Sequence, residues 1–469
     1  MNLTELLDQT ASRWPTKAAL IEGDTVLSYA RLVEEVAALS LQLEALQLPP
    51  GCRVGLCFPN SIHYVALTFA LWRITAAIVP IPIECTDEEF FALATTMQLD
   101  AVLTQKPLGQ SVPISPEGFF TRLTPTPPSD CHGLNIAFIR FTSGTTHDRK
   151  GVVLTHETVR DRLAAANQAL GITSKDTVLW CLPMSHHFLI TIVLYLSQGA
   201  TIVLARHVLA RPFLESVNRW RGTVLYAAPF HYALLARDTS GASLSSLRMA
   251  VSTTCALGEG VAEDFFTRFH LPLMQALGII ELGLVSLNSD DPRGRWNSVG
   301  RPLDSLRLRI AAPDENGCGE IAISGPGMFD AYAMPWIPRE EATCDGWFIT
   351  GDIGWLDMDG FLFLAGRKTS MINLAGRKVF PEEIEAVLNR HPAVRESRVY
   401  GRLHPHLGEV VEADVVLTQP EANPELVRDF CRAHLSSYKV PSRLHVVSLL
   451  PRTVATGKIL RAAAVASHD

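Results

Sequence analysis

The sequence predicts an α/β protein with a large N-terminal domain of doubly wound, mostly parallel sheets. A small antiparallel, barrel-like subdomain and a small C-terminal α+β domain complete the predicted fold. Over the first 300 residues, short apolar runs alternate with helical patterns, which is typical of parallel strands covered on both faces. After residue 300, short strands follow one another closely between glycine and aspartate turns, which indicates an antiparallel sheet. From about residue 367 the pattern is that of a compact α+β unit.

The N-terminal elements follow in regular order. Thr4 is a candidate cap for a first helix, which Pro15 ends, and two strands surround a turn at Gly23 and Asp24. The proline-rich segment 113–130 is expected to be a surface excursion. The most apolar stretch, 188–205, is interrupted at Ser197-Gln198-Gly199, so it predicts a buried helix and strand rather than a membrane span.

The C-terminal unit has a usual domain size. One amphipathic helix begins with Pro381, a residue favoured in the first helical turn, and acids follow it. Two strands, a second helix and a last strand come next. We therefore divide the chain into an N-terminal domain, residues 1–366, and a C-terminal domain, residues 367–469.

The composition excludes several classes of function. Hydrophobic residues make up 47% and charged residues 19%, as in ordinary globular proteins, and the net charge of −7 offers no basic surface for nucleic acid. The nine cysteines form no CxxC pair, which predicts reduced thiols in a cytoplasmic protein. The first residues contain acids and no basic leader, so we expect neither a signal peptide nor a membrane partner.

The stretch 141–153, FTSGTTHDRKGVV, has the composition of a phosphate-binding loop. Hydroxyl groups and the backbone N–H groups freed by Gly144 are suitable donors to phosphate oxygens, and Lys150 adds a positive charge. The hydroxyls belong to Thr142, Ser143, Thr145 and Thr146. A Walker loop requires Gly-Lys-Ser/Thr, whereas Arg149 precedes Lys150 and Gly151 follows it. The sequence therefore disfavours a P-loop NTPase.

This loop and six further segments, in the same order, resemble the adenylate-forming superfamily of acyl-CoA synthetases, peptide-synthetase adenylation domains and luciferases. The segments are LPMSHH (182–187), VSTTCAL (251–257), LGIIE (277–281), GWFITGDIGWLDMDGFLFLAGR (346–367), INLAGRKVFPEEIE (372–385) and LPRTVATGKILR (450–461). The resemblance implies ATP and Mg²⁺ as cofactors. A carboxylate would attack the α-phosphate of ATP, forming an acyl-adenylate and releasing pyrophosphate.

The resemblance also implies roles for individual residues. Lys458 would contact the attacking carboxylate and the α-phosphate, and it is the principal catalytic candidate. Glu281 would bind Mg²⁺, which prefers few protein carboxylates together with phosphate oxygens. Asp352 would accept hydrogen bonds from the ribose hydroxyls, and Arg367 would lie on the ribose or phosphate side.

In this family the C-terminal domain is mobile and rotates between two half-reactions. The resemblance places Thr369 at the hinge and Gly376 on the side of the acyl acceptor. Four residues depart from the usual pattern of the nucleotide site: His147 replaces a loop glycine, Arg149 a loop proline, Leu277 an adenine-stacking tyrosine, and Ile280 a threonine. The metal, ribose and lysine positions are kept, so we expect a working enzyme.

The resemblance also gives expectations about the acid. His186 stands where amino-acid-activating relatives carry an aspartate for the substrate ammonium, so the acid is expected to lack an α-amino group. We assign His186 to the catalytic group, as a gate of the pocket. The pocket candidates are His187, Ile190, Phe230, Thr254, Ala276 and Gly278. They favour an aryl, cyclic or medium-chain acyl group, and Thr254 and Gly278 are also assigned to the nucleotide side.

The acyl acceptor implied by the resemblance is coenzyme A. The sequence ends without a fused carrier domain, so a separate acyl or peptidyl carrier protein, or an amine in an amide-forming ligase, remain alternative acceptors. A different class of function is a non-catalytic nucleotide- or acyl-ligand-binding protein, which the departures at Leu277 and Ile280 suggest.

Overall fold

The computed structural model describes residues 2–123, 133–141, 150–205, 209–374, 377–404, 408–419, 423–452 and 459–460. The chain forms two compact units. The first comprises Met1–Arg307 and Ser324–Gly346, and the second comprises Leu308–Ile323 and Trp347–Asp469. The domain boundary between residues 366 and 367 stays a prediction.

The first unit contains two nine-stranded sheets. The strand order in the first sheet is Arg301–Pro302, Gly283–Leu287, Leu273–Ile279, Met249–Ser252, Val224–Ala227, Thr177–Trp180, Thr201–Leu204, Ala18–Glu22 and Thr25–Ser28. The six strands from Leu273–Ile279 to Ala18–Glu22 run parallel, and the outer strands pair antiparallel. The central strands are buried along their whole length, which explains their continuous apolar sequence.

The second sheet has a smaller parallel centre. Its order is Ile337–Pro338, Ala331–Tyr332, Gly151–Thr155, Ile136–Phe141, Ala77–Pro80, Arg53–Cys57, Ala101–Thr104, Gly118–Arg122 and Val112–Ser115. The four strands from Ile136–Phe141 to Ala101–Thr104 are parallel. Both sheets thus confirm the predicted fold class.

The segment predicted as a surface excursion is partly a β-hairpin. Strands Val112–Ser115 and Gly118–Arg122 pair antiparallel at the edge of the second sheet, and Phe120 is buried there. Pro113 lies in the outermost strand, where its missing N–H removes no necessary ladder bond. The prediction was wrong for residues 113–122, because prolines suggested a loop where an edge strand tolerates them.

Helices cover the sheets of the first unit. They are Thr4–Arg13, Tyr29–Glu44, Ile62–Arg73, Asp87–Thr96, His156–Leu170, Met184–His187, Leu194–Ser197, Ala210–Trp220, Pro229–Ala236, Glu259–Phe269 and Arg339–Ala342. Thr4 is the first helical residue rather than the cap; the N-cap is Leu3, which has no side-chain cap hydrogen bond. Asn2 Oδ1 accepts a hydrogen bond from the Thr4 backbone N–H at 3.0 Å. The cap therefore lies one position earlier than predicted.

The apolar stretch 188–205 forms the expected buried helix and strand. It begins with a π-helical turn, Phe188–Val193, continues as Leu194–Ser197 and ends as strand Thr201–Leu204. Apolar periodicity gave no sign of the π-helical turn, a feature that is frequent at functional sites. In the described part of the chain, no helix is long and apolar enough to cross a membrane.

The second unit contains two smaller sheets. Strands Arg307–Ala311, Gly319–Ser324, Phe348–Leu356 and Leu362–Arg367 form one sheet, whose last three strands pair antiparallel. Strands Arg377–Val379, Ile372–Leu374, Gly408–Leu417 and Val394–His404 form the other, with Arg443–Val446 parallel to Gly408–Leu417. Helices Pro381–Leu388 and Pro424–His434 bury Ile384, Leu388 and Val427 in this sheet's core. These elements confirm the predicted α+β pattern.

Candidate active site

The predicted site residues of the first unit follow the carboxyl ends of its parallel strands. The chain passes from Thr177–Trp180 to Thr201–Leu204 on one side and then to Val224–Ala227 on the other. The strand order therefore reverses there, and ligands of open α/β sheets bind at such a reversal, outside the carboxyl ends. Residues that follow these parallel strands directly are His186, His187, Phe230, Thr254 and Glu281.

Glu281 and Lys150 are connected through Tyr332, a residue that the sequence did not indicate. Glu281 is 9% exposed, and its Oε1 accepts a hydrogen bond from Tyr332 Oη at 3.1 Å. Lys150 Nζ lies 4.7 Å from the centroid of the Tyr332 ring, a cation–π contact. Burial and the Glu281 charge raise the pKa of Tyr332, so its hydroxyl remains a donor. The arrangement fixes one carboxylate oxygen and holds a cation over the ring that orients it.

Arg162 lies beneath the turn that carries Glu281. Its Nη1 donates to the carbonyl of Ile280 at 2.9 Å and its Nε to the carbonyl of Gly327 at 2.6 Å. Gly283 has φ +87°, and a Cβ there would lie 3.1 Å from Arg162 Cδ. This glycine therefore permits both the turn and the close approach of the guanidinium. The buried arginine was not predicted, because its partners are backbone carbonyls distant in sequence.

His186 and His187 lie on a short helix whose entry is held by Asn60. The Asn60 side chain donates to the carbonyl of Leu182 at 2.8 Å and accepts from the N–H of Met184 at 2.8 Å. Burial and the charge of Arg140 lower the pKa of His186 to about 4. The same two causes, with a contribution from His186, lower the pKa of His187 to about 3. Both imidazoles are therefore neutral near pH 7.

Thr254 and Gly278 have backbones suited to close approach of a ligand. Thr254 is exposed at the end of strand Met249–Ser252 and has φ +77°, which costs a β-branched residue about 1–3 kcal/mol. Strain of this kind is concentrated at ligand sites. Gly278 is exposed on strand Leu273–Ile279, and a Cβ built there would meet only the carbonyl of Gly283, at 3.6 Å. Both features agree with positions beside a nucleotide.

The other pocket candidates have different degrees of exposure. Ala276 is buried on strand Leu273–Ile279, and Ile190 is partly buried on the π-helical turn near Gly283. Phe230, at the start of helix Pro229–Ala236, is 61% exposed. Ile190 thus lies near the turn that carries Glu281, whereas Phe230 faces solvent.

In the second unit, Asp352 and Arg367 form an ion pair. They are directly opposite in the antiparallel pair Phe348–Leu356 and Leu362–Arg367, and Arg367 Nε lies 2.6 Å from Asp352 Oδ1. Asp352 is buried, and Thr350 Oγ1 accepts a hydrogen bond from its N–H at 3.0 Å. The hinge candidate, Thr369, is exposed in the 3₁₀ turn Lys368–Ser370 that follows Arg367 directly.

The described residues on either side of Lys458 pair with one another. Arg452 and Ile459 form an antiparallel bridge, and the N–H of Leu460 donates to the carbonyl of Pro451 at 2.8 Å. Arg398 Nη1 donates to the carbonyl of Leu460 at 2.9 Å, and its Nε donates to Asp414 Oδ2 at 3.0 Å. The buried Arg398–Asp414 pair therefore holds Leu460, two residues after Lys458. No sequence pattern indicated this pair.

Several predicted residues lie outside the described residues. They are Thr142, Ser143, Gly144, Thr145, Thr146 and His147 of the phosphate loop, Gly376, and Lys458. Within the described ranges, no group of three or more histidines, cysteines or acids could hold a metal. Glu281 is the candidate carboxylate for Mg²⁺, and the remaining ligands would be phosphate oxygens and water.

Comparison with protein families gives two matches. Residues 7–333 match the AMP-binding enzyme family, and residues 383–458 match the AMP-binding enzyme C-terminal domain. Among curated relatives, 2-succinylbenzoate–CoA ligase of Bacillus licheniformis is 29% identical, covering 97% of this chain and 98% of the relative. Oxalate–CoA ligase of Arabidopsis thaliana is 29% identical, covering 98% of this chain and 97% of the relative. Sulfoacetate–CoA ligase of Cupriavidus necator is 27% identical, covering 98% of this chain and 96% of the relative.

Solved structures agree with this assignment. The o-succinylbenzoate CoA synthetase of Bacillus subtilis, in complex with its acyl-adenylate intermediate, has a TM-score of 0.84 and 26% identity, covering 97% of this chain and 96% of that one. The amide bond synthetase of Marinactinospora thermotolerans has a TM-score of 0.81 and 25% identity, covering 97% of this chain and 98% of that one. The first family match alone covers more than half of the 469 residues. The chain therefore belongs to the AMP-binding enzyme family and is an AMP-forming acid ligase.

Proposed function

We propose that this enzyme activates an acid lacking an α-amino group, with an aryl, cyclic or medium-chain acyl group, and transfers the acyl group to coenzyme A. ATP and the acid react to give acyl-AMP and pyrophosphate, and a thiol then displaces AMP. The observation that carries the proposal is the Lys150–Tyr332–Glu281 arrangement after a parallel strand. It combines a cation with an oriented carboxylate, the two groups required to bind a metal-complexed polyphosphate.

The residues of this chain divide the work of the first step. Two anions must approach each other, so positive charge has to be placed where negative charge develops. Lys150 serves the phosphates from the first unit, and Lys458 contacts the carboxylate and the α-phosphate. Asp352 accepts hydrogen bonds from the ribose hydroxyls. These bonds replace part of its ion pair with Arg367.

The donor set at Glu281 fits Mg²⁺. Among the described residues, Tyr332 is the donor to Glu281 Oε1, and this bond leaves lone pairs on both oxygens for a metal. Mg²⁺ usually keeps several waters and binds one or two carboxylates together with substrate phosphates. When bound, the ion would neutralise phosphate charge. Tyr332 would orient the carboxylate ligand.

Three arguments concern the acid. His186 is neutral, and the positive charge of Arg140 acts on it, so neither residue favours a substrate ammonium; this supports an acid without an α-amino group. Ile190 and Ala276 supply apolar surface near the strand ends. The acids in the names of the three relatives each carry two acidic groups, so the panel of candidate acids has to include such compounds.

The acceptor is proposed as coenzyme A because the three relatives are named as CoA ligases. The second candidate is an amine, and the similarity to an amide bond synthetase favours it. A carrier-protein thiol is the third. We place the reaction in the cytoplasm, in agreement with nine cysteines that form no CxxC pair.

Acid-dependent release of pyrophosphate tests the proposal. Purified enzyme is incubated with ATP, Mg²⁺ and a panel of acids, and CoA, a phosphopantetheinyl carrier protein or amines are then offered to the acyl-adenylate. We expect pyrophosphate release with at least one acid and an acyl-CoA product. An acyl-amide product would favour the second candidate. ATP binding without pyrophosphate release for every acid would instead identify a non-catalytic binding protein.

A further inference from the structure

Three polar side chains are held around one cluster of aromatic rings in the first unit. Phe138 precedes Arg140 by two residues on strand Ile136–Phe141, so both side chains lie on the same face. The ring of Phe138 stacks on that of Phe188, with centroids 6.1 Å apart, and the ring of Tyr64 lies 5.5 Å from Phe188. Phe188 follows His186 by two residues. The cluster thus brings together the elements that carry Arg140, Tyr64 and His186.

These polar groups lack partners among the described residues. Tyr64 is fully buried, and its hydroxyl has no hydrogen-bond partner in the described part of the chain. The same is true of the buried Nε2 atom of His186. Arg140 is partly buried, and its side chain makes no hydrogen bond or ion pair with a described residue. Buried polar groups are normally satisfied, so a missing partner indicates a ligand atom.

The electrostatics of the cluster define the ligand's charge. Burial lowers the pKa of Arg140 to about 10, although Tyr64 and Glu281 act to raise that pKa. Arg140 therefore remains charged at neutral pH. Burial and Arg140 keep His186 and His187 neutral by lowering the pKa of each. A guanidinium, a phenol and a neutral imidazole can each donate a hydrogen bond. Arg140 interacts electrostatically with Tyr64 and with His186. Three donors on neighbouring elements, one of them charged, are suited to an anion.

We propose that Arg140, Tyr64 and His186 bind a second anionic group of the acid, a carboxylate or sulfonate that takes no part in adenylation. This inference rests on the proposed function, because it concerns the acid which that function activates. The acid is then a dianion with an apolar body between its two charged ends. Arginine suits this purpose because its planar fork matches a carboxylate or sulfonate.

Matched pairs of acids that differ in one anionic group test the proposal. The pairs are 2-succinylbenzoate with 4-oxo-4-phenylbutanoate, and adipate with hexanoate. The measured quantity is kcat/KM for acid-dependent pyrophosphate release. We expect wild type to prefer the dianion of at least one pair by about tenfold or more. A hydrogen bond to a charged group corresponds to roughly 10–100-fold in affinity, and Arg140→Met should remove a preference of that size.

The variants separate anion recognition from a general loss. Arg140→Met should lower kcat/KM for the dianion while leaving the monoanion within about twofold. Arg140→Lys should restore part of the preference, and Tyr64→Phe should reduce it several-fold. Arg219→Met serves as the control, because Arg219 is exposed and paired with Asp24. Equal losses for both members of each pair would overturn the proposal, because Arg140 would then serve the reacting carboxylate, the phosphates or the fold.

Direct binding keeps this result distinct from a failure of the proposed function. Calorimetric titration of the same pairs, without nucleotide, measures binding whether or not any acid releases pyrophosphate. Tighter binding of a dianion, lost in Arg140→Met, supports the anion site. Equal binding of both members of each pair to wild type would overturn it. Thermal unfolding of each variant checks folding, and Arg140→Lys and Tyr64→Phe carry the test if Arg140→Met does not fold.

Discussion

Tyr332 donates a hydrogen bond to Glu281 across 51 positions of sequence, with 3.1 Å between the phenolic oxygen and Oε1. The tyrosine belongs to the two-residue strand Ala331–Tyr332, which pairs with Gly151–Thr155, the strand next to Lys150. One ring therefore contacts the cation and positions the carboxylate at the same time.

Removing the phenolic hydroxyl should weaken Mg²⁺ binding. Hydrogen bonds that orient a metal ligand typically contribute 10–100-fold to metal affinity. In Tyr332→Phe, we expect the Mg²⁺ concentration that gives half-maximal pyrophosphate release to rise by about tenfold. Tyr332→Phe keeps the aromatic ring that Lys150 contacts, so it tests the hydroxyl alone. Lys150→Gln removes the cation instead, and it should raise the KM for ATP rather than the Mg²⁺ requirement. An unchanged Mg²⁺ requirement in Tyr332→Phe would show that Glu281 is not the metal ligand.

Replacing Lys458 should affect the two half-reactions unequally. Loss of one contact to developing charge costs about 10²–10³ in rate. Lys458→Ala should reduce pyrophosphate release by that factor and leave acyl transfer from added acyl-adenylate within about twofold. The control is Lys439→Ala, since Lys439 is paired with Glu383 on the second unit. Equal pyrophosphate release in wild type and Lys458→Ala would remove this assignment.

The hydrogen bond from Arg398 to the Leu460 carbonyl should also matter for the adenylation half-reaction, which releases pyrophosphate. Arg398→Gln removes the donor to the Leu460 carbonyl and leaves the buried Asp414 without its cation. We expect pyrophosphate release to fall by about tenfold, because misplacing a catalytic group by 1 Å can cost 10²-fold, while acyl transfer changes little. Arg402→Gln is a matched control, because Arg402 pairs with Glu412 on the same strands and is more exposed. A parallel loss in both half-reactions would indicate unfolding of the second unit.

Stability should fall in acid because of Asp176. Burial opposes ionisation, but hydrogen bonds from Arg248, Thr173 and Thr223 lower the pKa of this carboxyl overall. A lowered folded-state pKa adds stability above the unfolded value, near 3.9, and that stability is lost as the pH falls through the folded value. We expect the free energy of unfolding in urea to decrease below about pH 4.

The comparison for this pH effect is a pair of asparagine variants. Asp176→Asn should be less stable at pH 7 and should show less of the acid-dependent decrease than wild type. Asp24→Asn should follow wild type, because Asp24 is 88% exposed in its pair with Arg219 and exposed pairs contribute little. Identical pH profiles in wild type and Asp176→Asn would contradict the prediction.

Local patterns were sufficient for most elements of secondary structure. The alternation of apolar runs and helices predicted the parallel sheets, and Pro381 begins its helix as expected. The hairpin at 112–122 was missed because prolines are tolerated on an edge strand, and whether a strand lies at an edge is decided by the sheet. The cap at Leu3 was missed because a helix start is uncertain by one or two residues.

The sequence by itself determined the fold class, the family resemblance and the order of the candidate residues, because periodicity and short motifs are properties of neighbouring positions. Only the tertiary structure joined Lys150 to Glu281 through Tyr332, placed Arg162 beneath Ile280, and brought the rings of Tyr64 and Phe138 to Phe188. Contacts between residues distant along the chain depend on strand order and on side-chain packing, and neither leaves a spacing that a single sequence can show.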